Sequence, residues 1–342
     1  MKKKVAIIGF GGVGQGFANL LSEKQEQLIS HHQQDIEIVS INDLYKGTLH
    51  DDDGLDMGGV FKSLDVDGTL EHYKNQKAIK SDWDAVKTIE KTNADIIVEL
   101  TFTDVLTGEP AITHCKTAIE AGKHVVMTNK GPIVKAYQQL KEAADKKGVE
   151  FLFEGTVMSG TPALRMPLMT LKGNTITRIE GILNGTTNSM LTDMASGMSY
   201  EDSLDIAKQK GYAEADPTND VEGYDVQGKV VILANVLLGA SLTRNDVPCT
   251  GITKLTREDF KKAKDSNQVW KLLGVVENDG GVVTARVEPK LLTADDPLAQ
   301  INGPMNAVTY QCDLSGNVTL IGAGAGITET GFAVLIDILS IR

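Results

Sequence analysis

The sequence predicts an α/β protein. A Rossmann-type domain with a parallel sheet comes first, and an α+β domain with a mixed sheet follows it. Three observations carry this. The β-rich run Lys4 to Ile8 leads into Gly9, Gly11 and Gly14, spaced G-x-G-x-x-G, and then into a helical stretch, Gln15 to Ile29. Strand, glycines, helix is the context in which that fingerprint holds a dinucleotide. Strand and helix patterns then alternate through the first half, whereas the later strands fall next to one another as hairpins. Finally, 342 residues exceed one ordinary core, since domains hold roughly 150 residues each.

In the first half each element has a reason. Gly9 permits the tight turn, Gly11 lets a pyrophosphate approach the backbone, and Gly14 lets helix and strand pack closely. Phe10, Gly12 and Val13 complete the loop, and the helix N-terminus meets the negative charge. A second strand runs from Ile36 to Ile41. Asp43, just past it, is placed to bond the adenosine ribose hydroxyls and to repel a 2′-phosphate, which favours NAD. It follows the glycines by more than the usual ~20 residues, and a first helix lengthened by EKQEQLISHHQQ accounts for the excess. Lys46, the nearby cation, leaves NADP open. The segment Asp51 to Gly59 reads as an exposed loop in a poorly periodic stretch. A third strand spans Asp95 to Thr101, Pro110 suits the first turn of a helix ending near Ala121, and a fourth strand spans His124 to Thr128. Ligands of open α/β sheets gather at the carboxyl ends of strands, where Thr101 and Lys130 both lie.

In the second half a helix from Ala136 to Lys147 precedes a strand from Val149 to Phe153. The segment Ile176 to Leu191 reads as a strand delivered into a small-residue turn, Asn184 to Asn188, whose groups suit a polar ligand or a cap. The stretch Gly211 to Lys229 gathers Glu214, Asp216, Asp220, Glu222, Asp225 and Lys229 ahead of Val230 to Ala240. That last run is apolar all round and so predicts a buried helix. A lysine at its start, with carboxylates close by, can have its pKa moved and can move protons. On spacing alone, Asp225 and Lys229 also fit an i,i+4 pair on a wet surface. Hairpin strands KLLGVVEN and GGVVTARVE turn at Asn278 to Gly281, a last pair spans Ala307 to Ile321, and Gly322 to Gly326 leads into a closing helix, Thr330 to Leu339.

Composition narrows the function. A net charge of -12 lacks the basic footprint of a nucleic-acid binder. No run approaches the ~18 apolar residues of a membrane span, and the apolar start is broken by glycines without a cleavage site. The three cysteines, Cys115, Cys249 and Cys312, have no metal-ligand spacing and read as reduced thiols, so a cytoplasmic enzyme is expected. All six histidines lie at or before His124. Acid–base work in the second half therefore falls to Lys, Glu, Asp or Tyr.

The chain closely resembles homoserine dehydrogenases. The matches are GFGGVG from Gly9, VELT from Val98, AGKHVVMTNKGP from Ala121, EGTVMSGTP from Glu154, LNGTTNSML from Leu183, GYAEADPTNDVEGYDVQGK from Gly211, and GAGAG from Gly322. The resemblance implies interconversion of L-aspartate 4-semialdehyde and L-homoserine with NAD or NADP, in threonine and methionine biosynthesis. It implies a Rossmann domain at 1–135, with 322–342 packing back onto it, and a catalytic and dimerisation domain at 136–321, assembled as a homodimer or homotetramer. It places the acid–base role on Lys229, with Lys130 as a second site lysine, and substrate binding on Glu214, Asp225, Gly211, Tyr212 and Thr186. Cofactor contacts fall on Gly9 to Gly14, Asp43, Thr101, Lys130, Gly211 and Gly324. A monovalent cation, Na+ or K+, is expected at Glu154 with backbone oxygens near Val157, Ser159 and Thr161. The chain stops at Arg342, so neither a C-terminal ACT-type domain nor threonine control from a distant site is expected.

This chemistry suits the residues. Hydride reaching an aldehyde carbon puts negative charge on its oxygen, which a lysine ammonium can stabilise and protonate. An amino-acid substrate brings an ammonium that wants carboxylates. A rival reading, aspartate semialdehyde dehydrogenase, needs a thiolate with a histidine base, and no histidine follows Cys249 or Cys312. A nucleotide-sensing protein on the same fold would not need Lys229 and both acids together.

Overall fold

Apolar residues on both faces of a strand demand cover on both sides, and the first unit meets that demand with a parallel sheet. The computed structural model describes residues 2–104 and 106–341. Its elements begin with β1 (Lys2–Ile8), α1 (Gly12–His32), β2 (Asp35–Asp43) and β3 (Gly47–His50), then α2 (Met57–Asp67), α3 (Ala85–Lys91) and β4 (Ile96–Glu99). They continue with α4 (Ala111–Glu120), β5 (His124–Met127), α5 (Lys130–Lys147) and β6 (Phe151–Leu152). The sheet runs β3-β2-β1-β4-β5-β6. β1 is parallel to β2 and β4, as β5 is to β4 and β6, while β3 turns antiparallel against β2. Val5, Ile7, Ile38, Ile41, Val98 and Val126 are buried in its core.

Three features differ from the sequence reading. The expected loop Asp51 to Gly59 holds the start of α2, where Asp56 caps Gly58 N at 3.1 Å. Two glycines in the first turn hide the helical period. The hairpin strand β3 is too short to show alternation. The helix expected from Ala136 begins at Lys130, and Ala136 marks a kink inside it, at φ -142°.

The chain divides into two compact units, Met1–Thr156 with Gly326–Arg342, and Val157–Ala325. The first boundary therefore lies beyond residue 135, because α5 and β6 complete the parallel sheet.

Past α6 (Gly155–Met158), the second unit holds α7 (Arg165–Thr170), β7 (Ile176–Ile182), α8 (Gly185–Ala195), α9 (Tyr200–Gln209) and α10 (Thr218–Val221). Then come α11 (Tyr224–Leu237), α12 (Arg257–Asp265), β8 (Gln268–Asp279), β9 (Val282–Thr293), β10 (Met305–Cys312) and β11 (Gly316–Ala323). The sheet order is β11-β10-β7-β8-β9, antiparallel at every step. The apolar helix is longer than expected at its N-terminal end, and Lys229 lies within it rather than at its start. α11 lies on β8 so closely that a Cβ on Gly274 would come within 2.9 Å of Val226 Cγ1, which explains a glycine inside a strand.

Lys271 on β8 is buried and donates to Asn188 Oδ1 at 3.1 Å, Asn302 Oδ1 at 3.2 Å and the Ile301 carbonyl. Among the described residues no carboxylate pairs with it, and burial pushes its pKa down to about 8. Between pH 8 and 10.5 the unfolded chain thus binds more protons than the folded one, and stability rises with pH. The stability of wild type relative to Lys271→Met is expected to grow by up to about 3 kcal/mol across that window. Urea unfolding of both proteins at pH 8 and pH 10 measures it, and a constant difference refutes the assignment.

The closing helix α13 (Ile327–Ser340) belongs to the first unit and packs on α1. Gly331 makes this possible, since a Cβ there would sit 3.0 Å from Phe17 N. Lys3 fastens its end by donating to the carbonyls of Ile338 at 3.0 Å and Ile341 at 2.6 Å.

Candidate active site

In the first unit the glycine loop is built as the fingerprint requires. Gly9 has φ +92°, and a Cβ there would meet Leu100 C at 2.7 Å. A Cβ on Gly14 would lie 2.7 Å from Gly9 O, whereas Gly11 faces open space. The loop therefore packs tightly on the protein side and stays bare where a pyrophosphate would approach the N-terminus of α1. Phe10 is buried beneath it, with Gly12 and Val13 in the first helical turn. A cleft of about 780 Å3 opens beside the loop, lined among others by Gly9, Gly11, Asp43, Lys46, Thr101 and His114. These residues fit a dinucleotide.

Asp43 ends β2, and its carboxylate does more than face the cleft. Oδ2 accepts from Phe10 N at 2.8 Å, tying the glycine loop to the second strand. Oδ1 accepts from Tyr45 N at 3.0 Å and Lys46 N at 3.1 Å, with Lys46 Nζ 3.9 Å away. Thr101 follows β4, and its hydroxyl donates to the buried carboxylate of Glu99. Lys130 opens α5, whose cap Asn129 accepts from Gly131 N and donates to the carbonyls of Thr101 at 3.1 Å and Phe102 at 3.0 Å. Lys130 and Thr101 are thus held next to one another at the carboxyl ends of β5 and β4. Glu154 is also buried here, with its N–H on Asp337 Oδ2 at 2.9 Å.

In the second unit the small-residue segment after β7 is the start of α8 rather than a turn. Asn184 caps it, accepting from Thr187 N at 2.9 Å. Its amide nitrogen donates to Asp220 Oδ1 at 2.7 Å and Asp225 Oδ2 at 3.0 Å. Lys229 is buried and donates to Asp225 Oδ2 at 2.8 Å and to the Leu183 carbonyl at 2.5 Å. The wet surface pair that spacing allowed is therefore a buried one, braced from a third element. Thr186 donates to the Tyr212 carbonyl at 2.6 Å, which joins two more of the expected substrate residues. Gly211 has φ +73° and ends the turn after α9.

Glu214 is exposed. The acid that the structure places against Asn184 alongside Asp225 is Asp220, and burial, countered by the Asn184 hydrogen bond, holds its pKa above the usual carboxylate value. In the sequence Asp220 is one of a run of acids with nothing local to single it out. Gly324 lies against the buried Asn306 side chain, which fills the space a Cβ would take. Val157 and Ser159 are buried, Ser159 at φ +53°, and Thr161 donates to the Ala323 carbonyl at 3.0 Å. Burial pushes the Cys249 thiol up to about 11, which argues against a thiolate nucleophile there.

A glycine-cradled dinucleotide cleft in one unit, and a buried lysine braced among carboxylates in the other, define a nicotinamide-dependent oxidoreductase. Comparison with known proteins narrows this. Residues 9–154 match the family model described as homoserine dehydrogenase, NAD binding domain, and residues 162–339 match that of homoserine dehydrogenase. A protein of Pseudomonas canavaninivorans named NAD(+)-dependent homoserine dehydrogenase is 45% identical over 99% of this chain and 96% of its own. A homoserine dehydrogenase of Methanocaldococcus jannaschii is 38% identical over 98% of both. Among solved structures, a homoserine dehydrogenase from Thiobacillus denitrificans aligns with TM-score 0.83 at 31% identity, covering 99% of this chain and 73% of that one. A hyperthermophilic archaeal homoserine dehydrogenase mutant in complex with NADPH aligns with TM-score 0.85 at 28% identity, over 99% and 97%. The chain belongs to the homoserine dehydrogenase family, which are NAD(P)-dependent enzymes.

Proposed function

We propose that this enzyme interconverts L-homoserine and L-aspartate 4-semialdehyde with NAD as the preferred coenzyme, Lys229 serving as acid–base group. The observation that carries the roles is the hydrogen-bonded set Asn184, Asp225, Lys229 and Leu183 O. The coenzyme carries the hydride, and the chain supplies orientation and charge. Lys229, fixed on two oxygens, stabilises the oxygen that gains charge during aldehyde reduction and donates a proton to it. Asp225 and Glu214 attract the substrate ammonium, with Thr186, Gly211 and Tyr212 beside them. Gly9 to Gly14, Thr101, Lys130 and Gly324 are assigned to the coenzyme. Mixing protein, homoserine and NAD and following NADH absorbance tests the activity, and a flat trace refutes it.

Asp43 supports the choice of NAD, and the name of the Pseudomonas relative agrees with it. Asp43→Ser should narrow the ratio of kcat/KM for NAD over NADP, because the repulsion of a 2′-phosphate is lost. It should also weaken both coenzymes, because Phe10 N loses its acceptor. An unchanged ratio would assign discrimination to Asn42 or Lys46.

We propose, on the family resemblance, a homodimer or homotetramer built through the second unit, a role in threonine and methionine biosynthesis and a cytoplasmic location. Sedimentation in solution tests the assembly, with a monomer refuting it. No helix among the described residues is long and apolar enough to cross a membrane. A Na+ or K+ ion held by Glu154 and by backbone oxygens near Val157, Ser159 and Thr161 is proposed on the same ground, since hard cations take oxygen ligands.

A further inference from the structure

The family reading gives no work to one buried acid. Glu99 ends β4, and its side chain is wholly inaccessible. Among the described residues its Oε1 takes the polar contacts: the Thr101 hydroxyl, Thr101 N at 3.3 Å and His114 Nδ1 at 3.3 Å. Its Oε2 is buried and has no hydrogen bond among the described residues. Among the described residues His114, on α4, is its one ion-pair partner. A brace for Thr101 would need only Oε1, and the amide oxygen of a glutamine could supply it. A buried carboxylate with one oxygen left unserved is costly, and such groups persist where function uses them.

The place is informative. Thr101 and His114 both line the dinucleotide cleft. Asp43 on β2 marks the adenosine end and the glycine loop after β1 the pyrophosphate. The sheet order β2-β1-β4 then brings the nicotinamide half over β4, where Glu99 lies. The oxidised ring carries a positive charge that the reduced ring lacks.

We propose that Glu99 is the buried counter-charge for the oxidised nicotinamide, so that it biases the cleft toward NAD+ over NADH, with Thr101 and His114 holding the carboxylate in place. The proposal rests on the coenzyme reading above. When homoserine is oxidised, the hydride leaves its alcohol carbon for the ring, its hydroxyl proton passes to the protein, and the ring charge disappears. Glu99 then loses its attraction, which favours release of the reduced coenzyme.

Direct binding tests this without turnover. NAD+ and NADH are titrated by calorimetry onto wild type, Glu99→Gln and Glu99→Asp. Loss of the charge should raise the ratio Kd(NAD+)/Kd(NADH) by about ten-fold in Glu99→Gln, the size of one charge acting through partly screened protein. NADH affinity should change by less than about two-fold, since the neutral ring gains nothing from the carboxylate. Glu99→Asp keeps the charge and should keep most of the ratio. Glu99→Met, which removes the unserved oxygen and fills the same space, serves if the amide variant does not fold. Equal losses for both coenzymes would make Glu99 a brace and overturn the proposal, as would an unchanged ratio. If wild type binds only the phosphorylated pair, the choice of NAD fails but the same ratio, read with NADP+ and NADPH, still decides the role of Glu99.

Discussion

Lys229→Ala is expected to lower turnover by about 10²–10⁴, the usual share of a positioned general acid, while KM for homoserine changes far less. The structure sharpens the reason. Lys229 stands in the second turn of a helix whose surroundings are apolar, and there its ammonium is held by the Leu183 carbonyl and by Asp225. Those two oxygens fix where its protons point before any substrate arrives, and pre-orientation is what makes such a group effective. Lys130→Ala is the comparison. Lys130 opens α5 at the carboxyl end of β5, next to the Thr101 segment of the coenzyme cleft, so its loss should fall more on the KM for coenzyme. Steady-state kinetics of both variants decide between them. Near-normal turnover without Lys229 would end its role as proton donor, and a larger loss without Lys130 would exchange the two assignments.

The parts of this fold that were legible in the sequence are those whose pattern is local. The strand, glycine loop and helix at the start need particular residues at particular spacings, because a pyrophosphate tolerates no Cβ in the turn. The hairpin at Gly280 and Gly281 declares itself through its turn residues, both with positive φ. The parts that are not legible depend on partners far along the chain. Gly185 to Asn188 looks like a turn because its residues are small and polar. It is helical because Asn184 caps it and Asp220 and Asp225 hold that cap in place. The exposed position of Glu214, and the closer approach of Asp220, follow from how α10 and α11 are set against α8, which no window of sequence contains. Glu99 stands in the VELT segment, yet nothing beside it in sequence announces His114 on the next helix as its partner.

The two acids assigned to the substrate should therefore behave differently. Asp225 accepts from Lys229 and from Asn184, so it serves the substrate ammonium and also steadies the proton donor. Asp225→Asn removes the charge and disturbs the orientation of Lys229 together. Its kcat/KM for homoserine should fall by at least about 30-fold, the scale for breaking a partly buried charge pair, with the loss shared between kcat and KM. Glu214 is exposed, so Glu214→Gln should raise KM and leave kcat close to wild type. Both variants should bind NAD+ as wild type does, because Gly9 to Gly14 and Asp43 are untouched. Initial rates over a range of homoserine, together with a coenzyme titration of each variant, separate these terms. A fall in kcat for Glu214→Gln as large as that for Asp225→Asn would show that the exposed acid moves onto the reacting end during turnover. A parallel loss of NAD+ affinity in either variant would show that these acids do not serve the substrate alone.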